Sequence, residues 1–152
     1  MLGALLSALH VLALGIGLGA VFARGRGLRG VAAGRMELVK TVLFADALWG
    51  IAAGLWLLTG LLRAFGGVEK STGFYLFNVF FWIKMALFAA VFALEVVPMT
   101  TFLGWRSAIK RGAPPDTRTI SKLIRVNDAE TAIVVIIPFV AAAMARGLWL
   151  IP

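Results

Sequence analysis

The sequence has no cysteine, a single histidine and few acidic residues, with seven Asp and Glu against 15 Lys and Arg. The absence of cysteine excludes disulfides, thiol catalysis and thiolate-ligated zinc or iron–sulfur centres. Charged residues of either sign are also scarce, at 14% of the chain, whereas hydrophobic residues make up 61%. This balance is far from that of a soluble globular domain and is typical of an integral membrane protein.

Long apolar runs occupy most of the chain. Four segments are long enough to cross a bilayer as helices, which takes about 20 residues, and they lie at about 2–22, 39–62, 77–102 and 129–150. The short connections leave no room for a soluble domain. The sequence therefore predicts an all-α fold in which residues 1–152 form a single transmembrane domain, an up-down bundle of four helices.

Most basic residues lie in two of the predicted connections. The first connection contains Arg24, Arg26, Arg29, Arg35 and Lys40, and the last contains Arg106, Lys110, Arg111, Arg118, Lys122 and Arg125. The positive-inside rule puts both connections in the cytoplasm, so both termini are expected outside. The net charge of +8 is then explained by topology and by contact with anionic lipid, and no nucleic-acid partner is expected.

The two basic connections differ in composition. The first, RGRGLRGVAAGR, is rich in glycine and is expected to be a mobile connection. The last is interrupted at Pro114 and Pro115, after which Asp116 and Thr117 favour the start of a short helix on the membrane surface.

Ionisable side chains inside a membrane are costly, so each one is a candidate site residue. With the predicted topology they form two layers. The outer layer is basic and contains His10, Arg63, Lys84 and Arg146, whereas the inner layer is acidic and contains Asp46, Glu95 and Glu130.

Two interpretations of His10 are open. As a neutral imidazole it would form a hydrogen bond with a neighbouring helix. As a metal ligand it would bind the iron of haem, with Lys84, Arg63 and Arg146 holding the propionates. One histidine cannot supply two axial ligands within one chain, so the iron would be five-coordinate, use a methionine or take a ligand from a second copy.

The acidic layer also has two interpretations. Asp46 and Glu95 can meet between the second and third spans, where a carboxyl–carboxyl hydrogen bond would join the helices. Together with Glu130 they would instead be steps of a proton or cation path through the bundle or through an oligomer.

Small residues repeat at helix-packing intervals on two of the spans. They are Ala13, Gly17 and Ala20 on the face of His10, and Gly50, Ala53 and Gly60 on the face of Asp46. Such residues let helix backbones approach closely, within one chain or between the copies of a homo-oligomer, which we expect here.

Five segments carry a resemblance to a known family. They are ALH (8–10), DALWGIAAGLWLLTGLLRAF (46–65), NVFFWIKMALF (78–88), VVPMTTFLGWR (96–106) and PFVAAAMARG (138–147). In this order, and over nearly the whole chain, they resemble a family of small bacterial inner-membrane proteins, the domain-of-unknown-function family 2214. The resemblance implies four helices, a multi-pass location in the bacterial inner membrane and no assigned activity.

A more distant similarity is to the haem-binding, flavin-independent protoporphyrinogen oxidase family. Leu9-His10 and Trp82-Ile83-Lys84 resemble two of its motifs, but this chain has Glu95 where that family has a further histidine. The similarity implies His10 as an iron ligand and Lys84 as a cation of the ligand pocket, without that family's reaction.

Three functions follow from these residues. The first is binding of haem or another tetrapyrrole in a redox or haem-handling role. The second is proton, cation or small-solute transport, and the third is a scaffold for lipid or protein interactions. Whether the protein is an enzyme is left open.

Overall fold

The computed structural model describes residues 1–67 and 70–149. Its helices are α1 (Leu2–Ala32), a 3-10 turn (Met36–Leu38), α2 (Val39–Phe65), α3 (Thr72–Leu76), α4 (Val79–Lys110) and α5 (Ile120–Ala145), and the described residues contain no β-strand. Four of these segments, those of α1, α2, α4 and α5, are long and apolar enough to cross a membrane. The predicted all-α fold with four helices able to span a membrane is confirmed.

Large apolar side chains cover the outside of the bundle. In the most hydrophobic window of each span, only 11% to 28% of the residues are buried by the protein itself. Leu12, Ile51, Phe92 and Phe139 are among the exposed side chains. Such a surface is suited to a bilayer, because lipid tails are as apolar as these residues. The helices also form their own backbone hydrogen bonds, which lipid could not supply.

The interior is built from aliphatic, aromatic and small side chains where the helices meet. α1 contacts α2 and α5, and α4 contacts α5. A buried cluster near the C-terminal end of α1 contains Leu28, Val31, Val39, Val42, Phe102, Trp105 and Leu123. A second cluster, nearer the start of α1, contains Ala13, Trp56 and Ile137. The aromatic rings thus fill the space between helices that small residues allow to approach.

Each of the four long helices is followed by a glycine in the left-handed region, namely Gly34, Gly67, Gly112 and Gly147. Gly34, with φ +87°, follows α1, and there the N–H of Arg35 donates to the Gly30 carbonyl while the N–H of Gly34 donates to the Val31 carbonyl. Gly112, with φ +71°, ends α4 with the same pair of bonds. These caps satisfy carbonyls that would otherwise lack an intrahelical partner.

α1 is longer than the sequence predicts. The apolar run ends near residue 22, but the helix continues to Ala32, so the interpretation of the Gly/Arg-rich segment as a mobile connection is wrong. A Cβ on Gly25 would lie 2.6 Å from Nδ2 of Asn127, and one on Gly27 would lie 2.7 Å from Cγ2 of Val42. The glycines therefore allow α1 to pack closely against α2 and α5.

α5 begins at Ile120 and runs without a break into the membrane span. The expected separate surface helix is wrong, because Asp116 and Thr117 lie in the connection before α5. Trp105 donates from Nε1 to the Asp116 carbonyl at 2.7 Å, which fixes this connection to α4. α5 ends at Ala145, and the predicted boundary at 150 lies outside the described residues.

Candidate functional site

One end of the bundle surrounds a cavity of about 370 Å³, which we call the large cavity. Its wall combines the N-terminal parts of α1 and α4, the C-terminal parts of α2 and α5, and the short helix α3. Most of the lining is apolar or aromatic and includes Trp56, Tyr75, Phe81 and Phe88. Ligand pockets typically have volumes of roughly 300–1,000 Å³ and apolar walls, so the large cavity has the properties of a small-molecule site.

His10 lies in the wall of the large cavity and forms a hydrogen bond with α2. Its Nδ1 is 2.8 Å from Oγ1 of Thr59, and the Thr59 hydroxyl is 2.7 Å from the Leu55 carbonyl. A hydroxyl that donates its single proton to that carbonyl accepts from Nδ1 of His10. In the corresponding tautomer the imidazole is protonated on Nδ1 and carries its lone pair on Nε2. Gly60 allows this contact, since a Cβ there would lie 3.2 Å from Cε1 of the ring.

Basic side chains line the same cavity. Arg63, Lys70 and Lys84 all contribute to its wall. Lys70 donates to the Ala145 carbonyl at 2.9 Å. Lys84 is half-buried and has no carboxylate partner among the described residues, and the charge of Arg63 repels its own. Arg146, the fourth predicted cation, is exposed after the end of α5 and is not part of the described lining.

Trp56 brings a buried donor to the wall of the large cavity. Its side chain is only 6% exposed, and its Nε1–H has no hydrogen-bond acceptor among the described residues. The ring lies between His10 and Phe88, with ring centroids 5.8 and 5.1 Å away. A buried donor without an acceptor costs about 1–3 kcal/mol. An acceptor atom of a bound molecule would remove this cost.

A cluster of charged residues lies beyond the large cavity, and Arg24 is at its centre. Arg24 is fully buried, and each of its N–H groups has an acceptor. Nε donates to Asn127 at 2.8 Å, Nη1 to Asp46 at 3.3 Å and to Glu95 at 2.9 Å, and Nη2 to Glu95 at 3.2 Å and to Glu130. One side chain thus joins α1 to α2, α4 and α5. We call this group the Arg24 cluster.

The three acidic residues of the predicted inner layer all belong to the Arg24 cluster. Two further side chains complete it, since Trp49 donates from Nε1 to Glu95 at 3.0 Å and Arg106 donates to Asp46 at 2.9 Å. Asp46 and Glu95 meet as expected, and both accept from the same nitrogen of Arg24. The carboxyls gather around a shared cation.

Sequence reasoning missed Arg24 and its amide partner Asn127. It assigned Arg24 to a connection because it counted the arginine as a topological charge. A signal was nevertheless present, since Ala13, Gly17 and Ala20 continue at helical spacing to Arg24. All four are buried on one face of α1.

A second, smaller cavity of about 30 Å³ lies between the two sites. Trp56 and Phe88 line both cavities, whereas Trp49 and Glu95 connect the small one to the Arg24 cluster. A single layer of side chains therefore separates the large cavity from the buried charges.

Outside the spans, the connection before α5 carries an exposed ion pair. Asp116 accepts from Nη2 of Arg118 at 2.7 Å and from its backbone N–H at 3.0 Å. These hydrogen bonds lower the pKa of Asp116 to about 2, and the same partner raises the pKa of Arg118. The pair stabilises the local turn.

Comparison with known proteins identifies the family of the chain. Residues 2–148 match the family described as "Predicted membrane protein (DUF2214)". The chain belongs to this family. No curated protein and no solved structure gives a significant match. Membership of the DUF2214 family confirms the resemblance found in the sequence and its membrane setting, and any functional assignment has to come from the residues of the two sites.

Proposed function

We propose that the protein binds a tetrapyrrole, with haem as the first candidate, in the large cavity. The observation that carries this proposal is Lys84, a half-buried cation without a carboxylate partner among the described residues, in an apolar cavity that also contains His10. An apolar pocket with a few convergent polar groups is the usual form of a ligand site.

The charge of the large cavity favours an anionic ligand. Lys84 brings a positive charge to the wall, and the described lining contains no Asp or Glu. An ion in apolar surroundings is costly unless it is paired. A carboxylate on the ligand would pair with Lys84 and form a charge-assisted hydrogen bond there. The ligand would thus be an amphipathic carboxylate with an apolar body.

Among amphipathic carboxylates, His10 favours a tetrapyrrole that carries a metal. Histidines that bind metals usually donate their other ring N–H to a neighbouring acceptor, which fixes the tautomer, and the Thr59 hydroxyl lies at hydrogen-bond distance from Nδ1 of His10 to serve as one. The described residues contain no cluster of His, Asp or Glu that could hold a metal by itself. A metal would therefore be held together with an organic ligand. Haem would supply redox chemistry at its iron, or would be handed on to another protein.

The visible absorption spectrum tests this proposal. The protein would be purified in mild detergent from haem-replete cells, and spectra would be taken after oxidation and after reduction. We expect a Soret band that is lost in His10→Ala and weakened in Lys84→Gln. Arg146→Gln is the matched control, since this cation lies at the same end of the bundle but outside the described lining of the large cavity.

A colourless wild-type protein would overturn haem binding. In that case, titration with iron-free protoporphyrin and with a long-chain fatty acid, followed by tryptophan fluorescence, separates the remaining possibilities. Binding that depends on Lys84 and not on His10 would identify a carboxylate site without a metal. Binding of neither compound would reject the amphipathic carboxylate as well.

We also propose the up-down arrangement with both termini outside a bacterial inner membrane. Supporting this, the start of α1 meets the end of α2 at His10 and Thr59, and the basic connections then face anionic lipid in the cytoplasm. Since the chain has no cysteine, single cysteines report topology directly. Lys70→Cys should react with a membrane-impermeant thiol reagent on intact cells, whereas Arg111→Cys should react only after permeabilisation. The reverse pattern would invert the topology.

Transport and self-association are the other proposals. Proton movement is favoured by Glu130, whose Oε1 is buried without a partner among the described residues. Self-association in a homo-oligomer stays a prediction, and fewer of the small residues are available to support it. A Cβ on Gly17 would lie 3.3 Å from the Trp49 ring of the same chain, whereas one on Gly50 would meet open space. Of these two glycines, Gly50 is the one able to contact a second copy.

A further inference from the structure

The Arg24 cluster has unequal numbers of acidic and basic groups. Its ion pairs join two guanidiniums, those of Arg24 and Arg106, to three carboxyls, those of Asp46, Glu95 and Glu130. With every group ionised, the cluster would hold one excess negative charge in the interior of a membrane protein. An uncompensated buried charge is strongly unfavourable. One bound proton would make the cluster neutral.

The hydrogen bonds distinguish the three carboxyls. Asp46 accepts from two guanidiniums, and Glu95 accepts from both terminal nitrogens of Arg24 and from Trp49. Several donors to a carboxyl favour its ionised form. Glu130 is fully buried and accepts from Arg24 through Oε2, while Oε1 has no partner among the described residues. Glu130 is thus the carboxyl with the fewest groups to stabilise a negative charge.

We propose that Glu130 is a proton-binding site at the centre of the bundle, and that the Arg24 cluster has no net charge when Glu130 carries its proton. The groups around it are Arg24 on α1, Asp46 on α2, Glu95 and Arg106 on α4, and Asn127 on α5.

Glu95 is the carboxyl next to Glu130 in the Arg24 cluster. Its side chain is 21% exposed and accepts from the same Arg24 nitrogen, Nη2, as Glu130, whereas Arg24 and Glu130 are fully buried. Glu95 also borders the small cavity. Because Glu130 itself is fully buried, a proton on it is shielded from the surroundings of the bundle.

Infrared spectroscopy of the full chain in lipid nanodiscs tests the proposal. At neutral pH we expect the C=O stretch of a protonated carboxylic acid, and this band should shift when the protein is labelled with ¹³C-carboxyl glutamate. The band should be absent in Glu130→Gln. It should be unchanged in Asp128→Asn, a matched control that removes a half-exposed carboxyl from the same helix.

Two outcomes would overturn the proposal. One is a wild-type spectrum without a glutamate-sensitive acid band at neutral pH. The other is a band that survives in Glu130→Gln and is lost in Glu95→Gln, which would assign the proton to Glu95. Should Glu130→Gln fail to fold, the isotope shift in the wild-type protein and the Glu95→Gln spectrum still decide the matter.

The pH dependence of stability gives an independent measurement. At neutral pH the folded protein would hold a proton on Glu130, whereas a glutamate in the unfolded chain is already ionised. Unfolding therefore releases a proton, and stability falls as the pH rises. Glu130→Gln should lose this slope, and Asp128→Asn should keep it. Equal slopes in the wild type and Glu130→Gln would contradict the proposal. Neither measurement requires a ligand in the large cavity, so the result is independent of haem binding.

Discussion

Replacing Arg24 with leucine is expected to be among the most destabilising changes in this chain. The variant leaves Glu95 and Glu130 without their guanidinium, whereas Asp46 keeps its bond to Arg106. Removal of one partner from a buried ion pair costs about 3–5 kcal/mol, because the remaining charge is buried without compensation. One proton already on Glu130 would reduce the cost towards the lower value.

Reversible unfolding in mixed detergent micelles with increasing SDS, followed by far-UV circular dichroism, measures this loss. Arg29→Leu is the matched control, because Arg29 lies on the same helix and pairs with Asp128, and both side chains are about half exposed, at 53% and 49%. An exposed pair contributes only about 0–1 kcal/mol. The two variants should therefore differ by more than ~30-fold in the unfolding equilibrium constant, at ~1.4 kcal/mol per tenfold.

A rescue experiment separates charge from packing. Adding Glu95→Gln and Glu130→Gln to Arg24→Leu removes the uncompensated carboxylates, so part of the lost stability should return. If Arg24→Leu were as stable as Arg29→Leu, the reasoning that the Arg24 cluster joins the helices would be refuted.

Three further changes probe other parts of the molecule. Gly27→Ala places a Cβ 2.7 Å from a methyl group of α2 and should cost about 1–3 kcal/mol, whereas Gly50→Ala meets open space and should gain up to ~1 kcal/mol. The same SDS unfolding measures both, and equal effects would contradict the close helix contact. Thr59→Val removes the hydroxyl that is hydrogen-bonded to Nδ1 of the single histidine and should cost about 0.6–1.5 kcal/mol. An unchanged ¹⁵N spectrum of the imidazole would argue against that bond. The Asp116 carboxyl should titrate at a pH of about 2 and keep its bonds at neutral pH, because a lowered pKa means that the interaction is lost only as the pH falls through that value. Arg118→Gln should move this titration towards the ordinary range of an aspartate, and a ¹³C titration that does not move would exclude Arg118 as the cause.

Much of this fold can be predicted from hydropathy, because length and apolarity decide which segments can cross a bilayer. The grouping of His10, Arg63 and Lys84 around one cavity also follows from sequence. With known span ends and a rise of ~1.5 Å per residue, their depths in the membrane are similar. The same reasoning places Arg146 at this depth, but α5 ends before Arg146 and leaves it exposed.

The partners of the acidic residues could not be predicted, because they depend on which helices are neighbours. Hydropathy marks Arg24 as the end of a span, and glycine marks the next residues as a connection. Both signals reflect local preference, which tertiary packing overrides here. Asp46, Glu95 and Glu130 supply the buried charges that require a cation, and only the folded bundle brings Arg24 to them.

The Arg24 cluster also has a consequence for the order in which the chain assembles. Arg24 belongs to α1, but its partners Asp46, Glu95 and Glu130 come from helices that follow it in the chain, and Glu130 is on α5. An arginine inside a membrane helix is costly unless it is paired, and the pairing of Arg24 is complete only after α5 has entered the membrane. A chain interrupted before α5 therefore retains a polar, incompletely paired α1. Completion of the bundle and neutralisation of α1 are therefore the same event.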